Sequence, residues 1–240
     1  MDSSAYNSGN IEILEKRRLI EGVAMVRLGR DRTFRAAIFD LDGTLTDTRS
    51  IWQHLHEKFG TLDVGRRTAQ MYRDGRINYV EWARLDAACW KGISLADLLP
   101  ALSEIRYTPG ASEIMEQLRN HGIRTGIVSA GLSVLTDRAK VDLNADLAIS
   151  NELKVSNGVL TGEVVVRVGP GNKTDVIEEA AWLLGADMQE TIVVGDNLFD
   201  LPGSAGLRIA FKPVTLQARA AADVVVEDDD IRAIADHIFQ

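Results

Sequence analysis

The sequence predicts an α/β fold in which a doubly wound parallel sheet forms the core and a small helical cap is inserted. Short apolar runs, which suit buried parallel strands, alternate with stretches of helical spacing along most of the chain. Several of these runs end in acidic or small polar residues. Strands that alternate with helices imply a parallel sheet joined by right-handed crossovers.

The first core strand is predicted at Ala36 to Phe39, which is apolar without the spacing of an amphipathic helix. Asp40 and Asp42 follow at its carboxyl end, where Gly43 permits a turn. Two carboxylates this close repel each other, so they are poor for stability. They suit catalysis instead, because one carboxylate can act as a nucleophile and bind a cation while the other donates and accepts protons. The plain alternative is an acidic turn after a strand.

The chain is predicted to have three parts. Residues 1–34 form an N-terminal extension, in which 11–26 could be a helix. Residues 35–48 and 107–240 form the α/β core. Residues 49–106 have helical spacing without a convincing strand, so they are predicted to form the cap. Aromatic residues recur at helical spacing in the cap and could line a cavity. An aromatic stripe of this kind more often packs in a core.

Further core elements follow from the same patterns. Strands are predicted at 123–128, 145–153, 191–194, 207–211 and 223–226. Helices are predicted at 109–121, after Gly131, from Lys173 to Leu184 and from about Ile231. Asn157-Gly158 separates two extended segments and predicts a hairpin between them.

Composition excludes some classes of function. A formal net charge of −8 argues against a nucleic-acid binder, which needs a basic face. No apolar run is long enough for a membrane helix, and the N-terminus lacks the pattern of a signal peptide. Cys89 is the only cysteine, which fits a reducing compartment. A cytoplasmic protein without nucleic-acid or membrane partners is therefore expected.

Polar residues at several predicted strand and helix ends should meet at one site, because open α/β sheets bind ligands at the carboxyl ends of their strands. The residues so placed are Asp40, Asp42, Ser129, Lys173, Asp196 and Asp200. Carboxylate oxygens favour a hard cation such as Mg²⁺, which keeps waters and a substrate phosphate. A lysine and a serine can hold the remaining phosphate oxygens. Each residue alone has an ordinary structural explanation, but the set predicts a magnesium site for a small phosphorylated metabolite.

The stretch from Ala36 to Asp47 reads AAIFDLDGTLTD and resembles the first motif of the haloacid dehalogenase superfamily. Three further motifs follow in the superfamily's order, and the resemblance runs from about Arg35 to the C-terminus. It implies a Rossmann-like core and phosphoryl transfer through an aspartyl-phosphate. An aspartate at position 42 favours this chemistry over dehalogenation, which needs no such acid.

The resemblance also implies a role for each matching residue. Asp40 is the expected nucleophile, Asp42 the general acid and base, and Lys173 the third catalytic residue. The implied metal ligands are Asp40, Asp42 through its backbone carbonyl, Asp196 and Asp200. The implied substrate-binding residues are Thr44, Ser129, Ala130 and Lys173, together with Arg49 and Tyr79.

Within the superfamily the chain most resembles phosphoserine phosphatases. The resemblance rests on the short helical cap, the stretch Asp74-Gly75-Arg76-Ile77-Asn78-Tyr79 and the hairpin at 151–162. The sequence departs from that family at five positions. Arg49 replaces a substrate-binding glutamate, Asp86 a cap arginine, Tyr79 a phenylalanine, Ala130 a glycine and Phe199 an asparagine. The resemblance therefore implies phosphatase chemistry more strongly than serine specificity.

Two other functions remain open from the sequence. A phosphotransferase would pass the same aspartyl-phosphate to an alcohol other than water, which product analysis with added alcohols would detect. A non-catalytic binding protein on the same fold would fail to hydrolyse a generic aryl phosphate. The intact acidic and lysine residues argue against that last alternative.

Overall fold

The computed structural model describes residues 26–28 and 32–239, which form a seven-stranded sheet, a two-stranded sheet and the surrounding helices. The strands are β1 (Val26–Leu28), β2 (Arg32–Phe34), β3 (Ala36–Phe39), β4 (Arg124–Leu132), β5 (Leu147–Ser156), β6 (Val159–Val165), β7 (Thr191–Gly195), β8 (Leu207–Phe211) and β9 (Val224–Val226). The helices are α1 (Ile51–Lys58), α2 (Leu62–Arg73), α3 (Tyr79–Ala88), α4 (Leu95–Ser103), α5 (Ala111–Asn120), α6 (Ser133–Asp142), α7 (Lys173–Leu183), α8 (Leu216–Ala221) and α9 (Ala235–Ile238). Short 3₁₀ helices span Met188–Glu190, Leu198–Asp200 and Ile231–Ile234.

The strand order in the large sheet is β6-β5-β4-β3-β7-β8-β9. Its pairs are parallel except β5 with β6, which form an antiparallel hairpin. Strand β3 is central and pairs with β4 on one side and β7 on the other. The predicted doubly wound α/β fold is confirmed, and its topology brings the carboxyl ends of β3, β4 and β7 together.

The sheet is buried on both faces, because successive residues of β3 contribute to two different cores. Ala37 and Phe39 belong to the larger core, which includes α5 and α6. Ala36 and Ile38 belong to the smaller one, which includes α7. A strand buried on both faces has no polar alternation, which explains the uninterrupted apolar run of β3.

Several element boundaries differ from the sequence-based predictions. Strand β4 continues to Leu132 with an irregular register after Val128, so the residues predicted to follow the strand lie within it. Strands β1 and β2 form an antiparallel hairpin that was not predicted. The helix predicted at 11–26 lies outside the described residues except for Val26. The final predicted helix begins as a 3₁₀ turn.

Helices α1–α4 form an insertion between β3 and α5. The boundaries of the cap at residues 49 and 106 stay a prediction from the sequence. The insertion is joined to the hairpin of β5 and β6 by backbone hydrogen bonds. Gly92 N–H donates to the Leu160 carbonyl at 2.8 Å, and Leu160 N–H donates to the Ile93 carbonyl at 2.8 Å. Asn157 and Gly158 make the hairpin turn with φ of 50° and 76°, as the Asn-Gly signal predicts.

A buried polar network ties three helices of the insertion together. His56 of α1 and Asp86 of α3 are almost fully buried, with Nε2 of the histidine 3.3 Å from Oδ2 of the aspartate. The Thr68 hydroxyl of α2 donates to Asp86 Oδ1 at 2.5 Å, and His56 Nδ1 lies 2.7 Å from Thr61 Oγ1. The Thr68 hydroxyl also lies within hydrogen-bonding distance of the Val64 and Gly65 carbonyls, at 3.2 and 3.0 Å, so Asp86 is the group through which the three helices meet.

We expect Asp86→Ala to lower the free energy of unfolding by about 3 kcal/mol, the usual cost of removing one partner of a buried pair. The substitution removes the buried carboxylate that faces His56 Nε2 and accepts from the Thr68 hydroxyl. Urea denaturation followed by circular dichroism measures the change. The matched control is Asp63→Ala in α2, whose side chain is 95% exposed, and it should cost under about 1 kcal/mol. Equal losses in both variants would contradict the prediction.

Candidate active site

The acidic residues of the site stand where two neighbouring parallel strands end. Asp40 directly follows β3, and its N–H donates to the Val194 carbonyl of β7 at 2.9 Å. Asp196 directly follows β7. Because β3 and β7 pair in register, their ends place these two aspartates side by side. Lys173 is the first residue of α7, so its side chain reaches the same edge.

Lys173 is buried between two carboxylates. Its Nζ lies 2.5 Å from Asp40 Oδ1 and 2.6 Å from Asp200 Oδ1. Burial alone would lower the pKa of Lys173, but the charges of Asp200 and Asp40 outweigh it and raise the pKa above its usual value. The side chain therefore stays a cation and holds the two carboxylates in fixed positions.

Three buried carboxylates could hold a metal ion here. One oxygen each from Asp40, Asp196 and Asp200 lies within 4.8 Å of the others. Burial raises the pKa of Asp40 well above its usual value, although Lys173 opposes the shift. Burial also raises the pKa of Asp196 to about 6. A cation among these carboxylates would favour their ionised forms, so the donors fit a hard divalent ion.

The two oxygens of Asp42 have different surroundings. Oδ2 accepts a hydrogen bond from the backbone N–H of Ile51, the first residue of α1, at 2.8 Å. Oδ1 is buried and has no hydrogen-bond partner among the described residues. Burial raises the pKa of Asp42 to about 6. One oxygen is thus fixed by the backbone while the other is available for a proton.

Gly43 is required where the turn after β3 approaches Asp196 at the end of β7. Its φ of 85° lies in the left-handed region, and a Cβ there would come within 2.6 Å of Asp196 Oδ2. Any other residue would clash with that carboxylate and strain the turn. The glycine therefore lets the turn after β3 pass close beside the end of β7.

The carbonyl of Ala130 joins the insertion to the core. It accepts hydrogen bonds from Trp52 Nε1 at 3.1 Å, from the Tyr79 hydroxyl at 2.9 Å and from Asn151 Nδ2 at 2.8 Å. The neighbouring Ser129 is buried, and its Oγ accepts from the Gly131 N–H at 2.9 Å. The hydroxyl of Tyr79 is therefore committed to the backbone.

A cavity of about 290 Å³ opens over these residues. Its lining consists of Asp40, Asp42, Arg49, Ser50, Trp52, Tyr79, Trp82, Ser129, Ala130, Gly131, Pro170, Lys173, Asp196, Asn197, Phe199 and Asp200. All predicted site residues except Thr44 are among them. Thr44 is fully buried outside the lining, and its carbonyl accepts a hydrogen bond from the Thr108 hydroxyl. Asp86 also lies outside the lining, because it faces His56 rather than the cavity or solvent.

Sequence reasoning missed part of this lining. Trp52 and Trp82 belong to the aromatic stripes of the predicted cap, and a stripe at helical spacing more often packs in a core than lines a cavity. Phe199 was noted as a departure from a motif, and Pro170 was not singled out. Outside the lining, Asn151 was not singled out either. Nothing in the local pattern shows that Asn151 would be buried beneath the Ala130 carbonyl.

The comparison with known proteins agrees with this geometry. The family model for haloacid dehalogenase-like hydrolases matches residues 37–205. Phosphoserine phosphatase of Methanocaldococcus jannaschii is 30% identical over 206 residues, which cover 84% of this chain and 96% of the relative. Phosphoserine phosphatase of Archaeoglobus fulgidus is 33% identical over 184 residues, which cover 75% of this chain and only 53% of the relative. A solved phospho-aspartyl intermediate analogue of phosphoserine phosphatase matches with a TM-score of 0.74 and 26% identity, covering 85% of this chain and 98% of that one.

The fold and the site define a class of protein: a doubly wound α/β domain with an acidic site at the carboxyl ends of its strands. The chain belongs to the haloacid dehalogenase-like hydrolases. Within that family it is a phosphatase, an enzyme that hydrolyses phosphoric monoesters. In the part of the chain that the structure describes, no helix is both long and apolar enough to cross a membrane.

Proposed function

We propose that the protein is a Mg²⁺-dependent phosphatase of a small phosphorylated metabolite and that Asp40 forms the aspartyl-phosphate. One observation carries the proposal: Asp40 is fixed by buried Lys173, and Asp42, whose buried Oδ1 has no hydrogen-bond partner among the described residues, lines the same cavity. A nucleophile, a fixed cation and a proton-handling group are the parts that phosphoryl transfer needs.

In the proposed first step, a carboxylate oxygen of Asp40 attacks the phosphorus of the monoester. The bond between phosphorus and the alcohol oxygen breaks, and Asp42 gives its proton to that oxygen as the alcohol leaves. Lys173 stabilises negative charge on the transferring phosphoryl group, since its position is set before the substrate arrives. Ser129, which lines the cavity, supplies a hydroxyl for a further phosphoryl oxygen.

In the proposed second step, water attacks the phosphorus of the aspartyl-phosphate. Asp42 now takes a proton from the water, the bond from phosphorus to the Asp40 oxygen breaks, and inorganic phosphate leaves. Asp42 ends in its starting protonation state, and Asp40 is again a free carboxylate. The same acid serves both steps because the bond from Ile51 N–H to Oδ2 fixes the Asp42 carboxyl group beside Asp40 and leaves Oδ1 without a competing partner among the described residues.

The three clustered carboxylates of Asp40, Asp196 and Asp200 support Mg²⁺ as the cation, with the Asp42 carbonyl as a further ligand from the same turn. A bound Mg²⁺ would neutralise charge on the phosphate. The insertion α1–α4 is proposed to act as a cap, because Trp52, Tyr79 and Trp82 line the cavity from that side. The single cysteine, Cys89, supports a cytoplasmic location.

We expect hydrolysis of 4-nitrophenyl phosphate to require Mg²⁺ and Asp196→Ala to weaken Mg²⁺ binding by about tenfold or more. The reason is that the variant loses one of few carboxylate ligands. Phosphate release, with and without a chelator, tests the activity, and a calorimetric Mg²⁺ titration tests the ligand.

A matched control is Asp187→Ala, an aspartate before β7 that lies outside the cavity lining. It should keep the wild-type Mg²⁺ affinity. Unchanged affinity in Asp196→Ala would remove that residue from the metal site. Full activity in the presence of a chelator would remove the metal from the proposal altogether.

A further inference from the structure

We propose that the substrate's alcohol part carries a carboxylate but no ammonium group, and that Arg49 recognises the carboxylate. This inference rests on the proposed phosphatase function and names the class of compound that the cavity accepts beyond the phosphate. It separates this chain from an enzyme for a phosphorylated amino acid, which presents both a carboxylate and an ammonium group.

The charges around the cavity are distributed unevenly. Its lining carboxylates are Asp40, Asp42, Asp196 and Asp200, and all of them belong to the catalytic cluster. Lys173 is buried against two of these carboxylates and belongs to the same cluster. Among the described lining residues, the one remaining charged side chain is Arg49. The wall beyond the cluster thus offers a cation to the substrate and no carboxylate.

Arg49 is held in place while part of its guanidinium stays open. Its Nη1 donates to Asp196 Oδ2 at 3.0 Å, and the side chain is 56% exposed. A guanidinium has five N–H donors, so this bond leaves several free for a ligand. Its planar fork matches a carboxylate better than a hydroxyl, because two parallel hydrogen bonds can form.

The rest of the wall offers little to an ammonium group. Trp52 and Tyr79 both donate their polar hydrogen to the Ala130 carbonyl. Trp82 Nε1 is a buried donor without a partner among the described residues, and a donor does not bind an ammonium group. An ammonium group buried here would lack a carboxylate beyond the catalytic ones and would be repelled by Arg49, which is costly.

Aromatic faces can attract cations, and this is the main competing possibility. One face of Trp82 is covered by Tyr72, which stacks on it at 4.9 Å, and the Tyr79 ring packs against it edge-on at 5.7 Å. Trp82 therefore does not present two open ring faces to a cation. Beyond the catalytic cluster, the charged group that the described wall presents is the Arg49 guanidinium, which favours an oxygen-rich anionic substrate.

Four small phosphomonoesters separate the contributions of the two groups. Phosphoserine has both the carboxylate and the ammonium group, and 3-phosphoglycerate has a hydroxyl in place of the ammonium. Phosphoethanolamine has the ammonium alone, and glycerol 3-phosphate has neither. Both enantiomers of 3-phosphoglycerate are included. With saturating Mg²⁺, we expect kcat/KM for the better enantiomer to exceed that of each other compound by at least about tenfold, or 1.4 kcal/mol.

Variants at Arg49 test the assigned residue through the ratio of two substrates. Arg49→Gln should bring the ratio of 3-phosphoglycerate to glycerol 3-phosphate close to one. Arg49→Glu should invert the ratio of 3-phosphoglycerate to phosphoethanolamine. Any effect of Arg49 on the metal through Asp196 acts on all substrates alike, so it cancels in these ratios. Arg66→Gln, an exposed arginine on α2 outside the cavity lining, should leave both ratios unchanged.

A binding measurement gives a readout that does not depend on turnover. In an Asp40→Asn background, calorimetry should show 3-phosphoglycerate binding more tightly than phosphoserine, and Arg49→Gln should remove the difference. If the enzyme hydrolyses 4-nitrophenyl phosphate but its kcat/KM for phosphoserine equals or exceeds that for 3-phosphoglycerate, this inference alone is overturned. Preference for phosphoethanolamine would also overturn it and favour an aromatic cation site. No hydrolysis of any phosphomonoester would overturn the proposed function itself.

Discussion

Replacement of Asp40 by asparagine is expected to reduce kcat by a factor on the order of 10⁴ or more, as loss of a covalent nucleophile does in other enzymes. An amide cannot form the acyl phosphate, so the covalent route is closed. The fold should survive, because the amide oxygen can still accept the bond that Lys173 donates to Asp40 Oδ1. Steady-state release of phosphate from 4-nitrophenyl phosphate measures the loss.

Asp47→Asn is the matched control for this variant. Asp47 lies in the same turn-forming segment after β3, but it is exposed and outside the cavity lining. It should retain wild-type kcat. Both variants should melt within a few degrees of the wild type. A well-folded Asp40→Asn protein with full turnover, purified free of wild-type enzyme, would remove Asp40 from the nucleophile role.

The sequence predicted that the acidic residues and Lys173 meet at one edge of the sheet, because local patterns carry that information. The apolar run of β3 predicts where the strand ends, and Asp40 and Asp42 follow that end directly. The same reasoning placed Asp196 after β7 and Lys173 at the start of α7. Parallel topology then brings the ends together, so no knowledge of side-chain contacts was required.

The substrate side of the cavity could not be predicted in the same way. Helical spacing shows that Trp52 and Trp82 each lie on the apolar face of a helix, but it does not show what that face contacts. Asp86 matches the position of a cap arginine of the similar family, but its helical spacing does not show that it is buried against His56. The three donors to the Ala130 carbonyl lie up to 78 positions away from Ala130 along the chain. Such contacts depend on how the insertion packs on the core.

Replacement of Asp42 by asparagine should affect the two chemical steps differently. An alkyl phosphate needs a proton for its leaving oxygen, so the first step should slow by roughly 10²- to 10⁴-fold. The 4-nitrophenolate ion leaves without that proton, so 4-nitrophenyl phosphate should still form the aspartyl-phosphate. Without a base to activate water, this intermediate should then accumulate. Rapid mixing should show a burst of about one equivalent of nitrophenol, followed by slow turnover.

The geometry of Asp42 explains why this variant isolates proton transfer. The Ile51 N–H bonds to Oδ2 and can bond equally well to an amide oxygen, so the backbone of α1 should keep its position. The buried, unpartnered Oδ1 is the atom whose proton is lost. Asp40→Asn serves as the matched comparison, because it should show neither burst nor turnover. A burst-free Asp42→Asn enzyme that hydrolyses alkyl and aryl phosphates at wild-type rates would assign the proton transfer to another group.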